Sequence, residues 1–253
     1  MRAAANAGYE RIEENGKIEL YCTCALRLMR SMPDGCIDAL ITDPPYANGA
    51  TLTAKAASTA SKYCAAKRDN PLPDFDGDSM DQRTWTHLMT DILREARRLC
   101  KPEAVCAIFI DWRQMPSLSD ALQRAGWIWR GVVVWDKVNA RPQRGRFTQQ
   151  AEFVVWGSNG RLPVDRPVPI LPGVYSVPGS GIQGRIHQTQ KPLDLMRGIV
   201  KICVPGGTIL DPFSGSGTTL LAAQMEGYNA IGSESNKTIA QAAAVRLGIE
   251  LSV

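Results

Sequence analysis

The stretch Asp211-Pro-Phe-Ser-Gly-Ser-Gly-Thr-Thr219 decides the fold. Thr208 to Phe213 reads as a strand carrying a carboxylate, and Ser216 to Glu226 reads as a helix, so a glycine-rich turn joins them. Gly215 and Gly217 let the backbone pass close to a ligand, while free N–H groups at a helix start attract a carboxylate or phosphate. Asn229 to Ser233 follows as the next strand, and Glu234 ends it about 20 residues beyond the turn, where an acidic side chain binds the hydroxyls of a ribose.

The same alternation extends along the chain. Lys237 to Leu247 reads as a helix, and Pro192 to Val204 as another with Pro192 in its first turn. Ile37 to Thr42 is a short buried strand stopped by Pro44-Pro45. Asp81 to Cys100 fits an amphipathic helix with Trp85, Leu88, Met89, Ile92 and Leu99 inward, followed by the strand Val105 to Ile110 and a helix from Ser117 to Ala125. Trp127 to Trp135 and Glu152 to Trp156 are β-rich, with the polar stretch Asp136 to Gln150 between them. Residues 47 to 78 are expected to form a mobile loop placed where a lid would be, and the Pro-rich residues 157 to 185 irregular surface. The pattern is one α/β domain with a parallel sheet and helices on its faces.

Composition sets the outer limits. The chain has 253 residues, 44% hydrophobic and 21% charged, which suits a soluble folded domain with a real core. No apolar run reaches about 18 residues and the first residues lack a secretion signal, so a cytoplasmic protein away from membranes is expected. Seven scattered cysteines and two histidines give neither a disulfide framework nor a metal site. The net charge of +4 is uneven: residues 124 to 166 carry eight basic side chains against three acidic ones, and the rest of the chain is nearly neutral. A single basic stretch points to a local contact with a polyanion, although a solvated Arg-rich surface has the same composition.

Three ligands compete for the glycine turn. A nucleotide phosphate loop needs Gly-Lys-Ser/Thr, and a dinucleotide fingerprint needs a third glycine where position 220 is Leu. S-adenosylmethionine fits better, with its amino-acid end at the turn, its ribose on Glu234 and its cation near Asp211.

The second motif is Asp43-Pro44-Pro45-Tyr46 at a strand end. Two prolines fix the backbone so that a carboxylate and a main-chain carbonyl point to one spot beside an aromatic ring. Hydrogen bonds to the Asp43 carboxylate and the Pro44 carbonyl would return electron density to a nucleobase amine, with Tyr46 stacked on the base. Such an amine could attack a methyl sulfonium without a metal or a covalent intermediate. A base inside a duplex cannot reach that pocket unless it is flipped out.

Together these motifs resemble the S-adenosylmethionine-dependent DNA amino-methyltransferases that modify adenine N6 or cytosine N4. The likeness runs from about Lys17 to Leu247. The Asp-Pro-Pro-Tyr motif precedes the cofactor turn, as in the circularly permuted beta class. The resemblance implies a Rossmann-like class I methyltransferase fold: a mostly parallel twisted sheet with helices on both faces, in a single catalytic domain over residues 1 to 253. It implies catalytic Asp43, Pro44, Pro45 and Tyr46, and cofactor contacts from Asp211, Phe213, Ser214, Gly215, Ser216, Gly217, Thr218 and Glu234. Lys191, in His187-Gln-Thr-Gln-Lys-Pro-Leu193, joins the cofactor side.

The family's target-recognition segment falls at about 157 to 186, overlapping the basic stretch, which makes Lys137, Arg141, Arg144 and Arg146 candidates for DNA contact. Members of the class often pair, so a homodimer is an expectation of the resemblance. The chain departs from the pattern at Cys22-Thr23, Ala151 and Ile239, where the family often has Gly-Asp, His and Tyr. Asp before Pro-Pro-Tyr favours adenine N6, with cytosine N4 as the alternative. A dinucleotide oxidoreductase leaves Asp43 to Tyr46 without a role, and a non-catalytic DNA-binding module leaves both motifs unexplained.

Overall fold

The computed structural model describes residues 10–15, 18–47, 80–179 and 190–249. Within them the chain runs β1 (Glu10–Asn15), β2 (Ile18–Cys22), α1 (Ala25–Ser31), β3 (Ile37–Thr42), α2 (Gln82–Leu99), β4 (Cys100–Ile110), α3 (Met115–Arg124) and β5 (Ile128–Asp136). It continues through β6 (Ala151–Ser158), β7 (Val174–Ser176), α4 (Leu193–Val200), β8 (Thr208–Asp211), α5 (Thr218–Met225), β9 (Asn229–Glu234) and α6 (Lys237–Leu247). The expected loop at 47 to 78 lies almost wholly outside the described residues, as do His187 to Thr189.

The strands form one sheet in the order β1-β2-β9-β8-β3-β4-β6-β5-β7. The central pairings β2–β9, β9–β8, β8–β3 and β3–β4 are parallel, and β6 runs antiparallel to both β4 and β5. Side chains of a strand alternate between faces, and both faces here are apolar. Leu40, Cys106, Ile108 and Ile110 join a core with α1, α2 and α3. Ala39, Ile41, Ala107 and Phe109 join a second core with α4, α5 and α6. Burial on both sides explains why Ala39-Leu40-Ile41 is continuously apolar rather than alternating.

Helix and strand ends follow local chemistry. Asp81 caps α2 by accepting from the Arg83 and Thr84 amides at 3.0 and 3.1 Å, a contribution of about 1 kcal/mol. The helix expected from Pro192 to Val204 begins at Leu193 and stops at Val200. Pro205 lies just beyond, and a residue before proline is steered away from helical dihedrals. β8 stops at Asp211 because Pro212 has no amide for the ladder. α5 begins at Thr218 rather than Ser216, because Gly215 and Gly217 have φ of 49° and 75°, the left-handed region.

The order of the strands sets the site. From β3 the chain crosses by α2 to β4, while from β8 it crosses by α5 to β9 in the opposite direction. The carboxyl ends of β3 and β8 therefore flank a topological switch point, where open α/β sheets bind ligands. Both sequence motifs sit at that point: Asp43 directly follows β3, and the glycine turn directly follows β8. No helix among the described residues is long and apolar enough to cross a membrane.

Candidate active site

The glycine turn is held from both ends. Ser214 donates its amide and its hydroxyl to the Ser233 carbonyl at 2.9 and 3.0 Å, and the Ser233 hydroxyl donates back to the Pro212 carbonyl at 2.9 Å. Arg246 of α6 donates to the Ser216 carbonyl and the Thr218 hydroxyl at 3.0 and 2.7 Å. A Cβ on Gly215 would meet only the Phe213 carbonyl, at 4.0 Å, so the turn faces open space there among the described residues. Gly217 caps α5 without any side-chain cap bond, which leaves the helix start able to receive an anion. Glu234 reaches this turn, accepting from the Gly215 amide at 3.1 Å and the Asn236 amide at 2.7 Å.

One hydrogen bond ties the two motifs together. The Thr42 hydroxyl donates to Asp211 Oδ1 at 2.6 Å, across 169 positions of sequence. The Asp-Pro-Pro-Tyr corner is fixed on its other side by Trp85, a buried residue of α2 whose indole N–H donates to the Pro45 carbonyl at 2.6 Å. Tyr46 folds back so that its hydroxyl donates to Asp43 Oδ1 at 2.7 Å.

A cluster of charges lies against Asp43. Lys191, 8% exposed, places its ammonium 2.6 Å from Asp43 Oδ2 and donates to the Tyr46 hydroxyl at 3.0 Å. The same ammonium is 3.5 Å from Glu152 Oε2, and Lys137 pairs with Glu152 Oε1 at 2.5 Å. Glu152 Oε2 is buried and has no hydrogen-bond partner among the described residues. Burial pushes the Glu152 carboxyl up, but Lys191 and Lys137 together hold it below its ordinary range. Burial pulls the Lys191 ammonium down, and Asp43 and Glu152 outweigh that, keeping it charged. Burial, then the charges of Asp43 and Glu152, push the Tyr46 hydroxyl far up, so it stays a neutral donor.

Asp211 is different, because no cation among the described residues faces it. Burial pushes its carboxyl up to about 6, against the pull of hydrogen bonds from Thr219, Thr42 and the Phe213 amide. A folded pKa above the unfolded one means that the native state binds the proton more tightly, so stability falls as pH rises from about 4 to about 6. By pH 7 the cost is on the order of 3 kcal/mol. Asp211→Asn is expected to flatten this slope and to gain stability over wild type at pH 7.5 relative to pH 4.5, read as urea midpoints at each pH.

The structure joins Asp43, Tyr46 and Lys191 by hydrogen bonds, and Gly215 to Glu234, with the Thr42–Asp211 bond linking the two motifs. Lys191 stands on the Asp43 side of that link rather than on the glycine turn. Lys137 is engaged with Glu152, whereas Arg141, Arg144 and Arg146 are exposed on the loop between β5 and β6. Glu152 was not foreseen, although a lone acid opening the apolar run Glu152-Phe-Val-Val-Trp156 is a signal of a buried charge. Burial pushes the thiols of Cys100 and Cys106 up and that of Cys203 to about 12, as inert packing residues behave.

Comparisons with known proteins bear on the family and the fold. The chain matches the N6/N4 family model described as DNA methylase over residues 37–168 and 170–245. It is 26% identical over 211 residues to the putative methylase YubD of Escherichia coli K12, covering 83% of this chain and 81% of that protein. It is 25% identical over 241 residues to the type II methyltransferase M2.MboI of Moraxella bovis, covering 87% and 84%. Among solved structures it is similar to the M1.HpyAVI–SAM complex, with a TM-score of 0.67 at 24% identity over 92% of this chain and 100% of that one. It is also similar to the cytosine-N4-specific PvuII DNA methyltransferase, with a TM-score of 0.72 at 17% identity over 94% and 89%. The family match spans both motifs and most of the sheet, and the chain belongs to the N6/N4 DNA methylase family.

Proposed function

We propose that the protein moves a methyl group from S-adenosylmethionine to the exocyclic amine of a DNA base held outside the duplex, with adenine N6 as that amine. The observation that carries the reading is the Thr42–Asp211 hydrogen bond, which sets the Asp43 corner beside the glycine turn. The residues present suit the cofactor. The uncapped start of α5 would take its carboxylate, Glu234 its ribose, and Asp211, buried with no counter-charge among the described residues, lies where a cation is favoured. When bound, S-adenosylmethionine supplies a methyl carbon on a positively charged sulfur that departs as a neutral thioether.

The chain's own residues then prepare the nucleophile. The amine's N–H bonds go to Asp43 and the Pro44 carbonyl, which raises density on nitrogen and stabilises the positive charge that grows as the N–C bond forms. The surplus proton on nitrogen is released to solvent. Both Asp43 oxygens are engaged, by Tyr46 and Lys191, so the incoming amine takes the place of the Lys191 ammonium. Glu152 Oε2, buried and lacking a hydrogen bond among the described residues, is the acceptor to which Lys191 turns. Residues 157 to 186 are the target-recognition segment in this reading. Their described part carries the short β7 at the sheet edge, and residues 180 to 186 lie outside the described residues.

Incubation with labelled S-adenosylmethionine and unmethylated mixed-sequence DNA, followed by digestion to nucleosides, tests the proposal. N6-methyladenine is the expected product. N4-methylcytosine would reassign the base while keeping the chemistry, and label absent from DNA would overturn the reading.

A further inference from the structure

The loop from Val138 to Gln149 joins β5 to β6 and carries Arg141, Arg144 and Arg146 with no acidic residue. Its root is built into the active site. Asp136 Oδ1 accepts from the Val138 amide at 3.0 Å and the Gln150 side chain at 2.9 Å, and the Lys137 amide donates to the Gln150 carbonyl at 2.9 Å. The residues on either side of that root, Lys137 and Glu152, belong to the charge cluster against Asp43. Beyond the root, Phe147 is 99% exposed, beside the exposed Arg144 and Arg146.

An aromatic ring held wholly in water within an arginine loop is unfavourable for the free protein and packs against nothing among the described residues. Val164 and Ile170 are equally exposed, but both are aliphatic; Val164, between Arg161 and Arg166, has Asp165 beside it, and Ile170 has no arginine within three positions, whereas the Phe147 loop carries no acid. The arginines suit phosphates, and the ring suits the stacked interior that phosphates enclose. Drawing a base out of a duplex leaves a gap between its neighbours, which closes against the enzyme unless something apolar fills it. Phe147 stands three positions before Gln150, which allows a reach of about 10 Å, enough for the depth of either groove at roughly 8 Å.

We infer that Phe147 is a wedge: on duplex DNA it enters the stack at the position the target base leaves, while Arg141, Arg144 and Arg146 hold the flanking phosphates. The inference rests on the methyltransferase reading above and adds to it the device that keeps the base outside. Phe147 is a positioning residue, because it acts on the vacated stack and not on the amine.

The test compares Phe147→Ala and Phe147→Trp with wild type on two duplexes carrying the mapped target, one correctly paired and one with the target base mispaired. A mispaired base needs little help to leave the stack. Phe147→Ala is expected to lose at least tenfold in kcat/KM on the paired duplex and less than threefold on the mispaired one, and Phe147→Trp to stay within threefold on both. Equal losses on the two duplexes, or no loss on the paired one, overturn the wedge. So does a wild type slower on the mispaired duplex than on the paired one. A wild type that methylates no DNA overturns the methyltransferase reading instead, and the two failures are thereby distinct.

Discussion

Asp43→Asn is expected to lower methyl transfer by about 10²–10³-fold while changing S-adenosylmethionine affinity less than threefold. The amide keeps the size of the carboxylate and one acceptor oxygen but removes its charge. As an amine nitrogen takes up a methyl group it becomes positive, and a fixed acceptor aimed at developing charge is worth that factor in comparable sites. The substitution also turns an N–H toward either Tyr46 or Lys191, both of which donate to Asp43 in the wild type. Lys191 loses its nearer carboxylate and is drawn to Glu152, so the fold keeps its ion pairing. The glycine turn is untouched, because its link to the corner runs through Thr42 and Asp211. Transfer rate and cofactor affinity, measured separately by a filter assay and calorimetry, decide the matter: a rate within threefold of wild type refutes the role of Asp43, and a parallel loss of affinity shows that Asp43 shapes the cofactor pocket instead.

Those expectations depend on motifs that are legible in the sequence without a fold. The strand Ile37–Thr42 and the helix Lys237–Leu247 read correctly to the residue, since each combines an unbroken local pattern with a sharp stop. A proline pair follows the strand, and Gly248 in the left-handed region, at φ 71°, follows the helix. β1 and β7 did not register in the sequence. Glu10–Asn15 is mostly charged and is held by its antiparallel pairing to β2, and Val174–Ser176 is three residues long with no apolar run to mark it. Both lie at the edges of the sheet, where backbone pairing to a single neighbour marks them as strands. β4 begins at Cys100 rather than Val105, since Lys101 to Glu103 are exposed and give no apolar signal.

The site was legible in its motifs and not in its charges. Proline and glycine pin the backbone locally, so Asp43 and the turn at Gly215 announce themselves in short windows of sequence. The partners of a buried charge are chosen by the fold. Lys191 lies 148 positions from Asp43, and it approaches because it precedes α4, which packs in the α4–α6 core, behind the switch point. Pro192 holds the chain extended as it enters that helix, with ψ of 135°, and Lys191 just before it turns inward. Glu152 is drawn in because β6 inserts antiparallel between β4 and β5, an order that nothing in the local pattern fixes.

Lys191→Met is expected to destabilise the protein by about 3–5 kcal/mol at pH 8, because it leaves Asp43 and Glu152 facing each other in a buried site with one cation fewer. Methionine keeps the length and apolar stem of lysine, so lost packing accounts for little of this. The pH dependence separates charge from shape. In wild type the Glu152 carboxyl is held below its ordinary range, and its stabilising contribution is present above its unfolded pKa and lost as pH falls through the folded one. Without Lys191 the remaining forces on that carboxyl are burial, the charge of Asp43 and the single cation Lys137, and its folded pKa rises. The sign then reverses: the variant binds a proton more tightly when folded and loses stability as pH rises through the raised value. Urea midpoints should show a deficit to wild type that is largest at pH 8 and shrinks toward pH 5, and adding Glu152→Gln should restore part of the stability at pH 8. A deficit independent of pH, or a double variant weaker than the single one, would mean that the hydrogen bonds Lys191 gives to Asp43 and Tyr46, and not its charge balance with Glu152, hold the Asp43 corner in place.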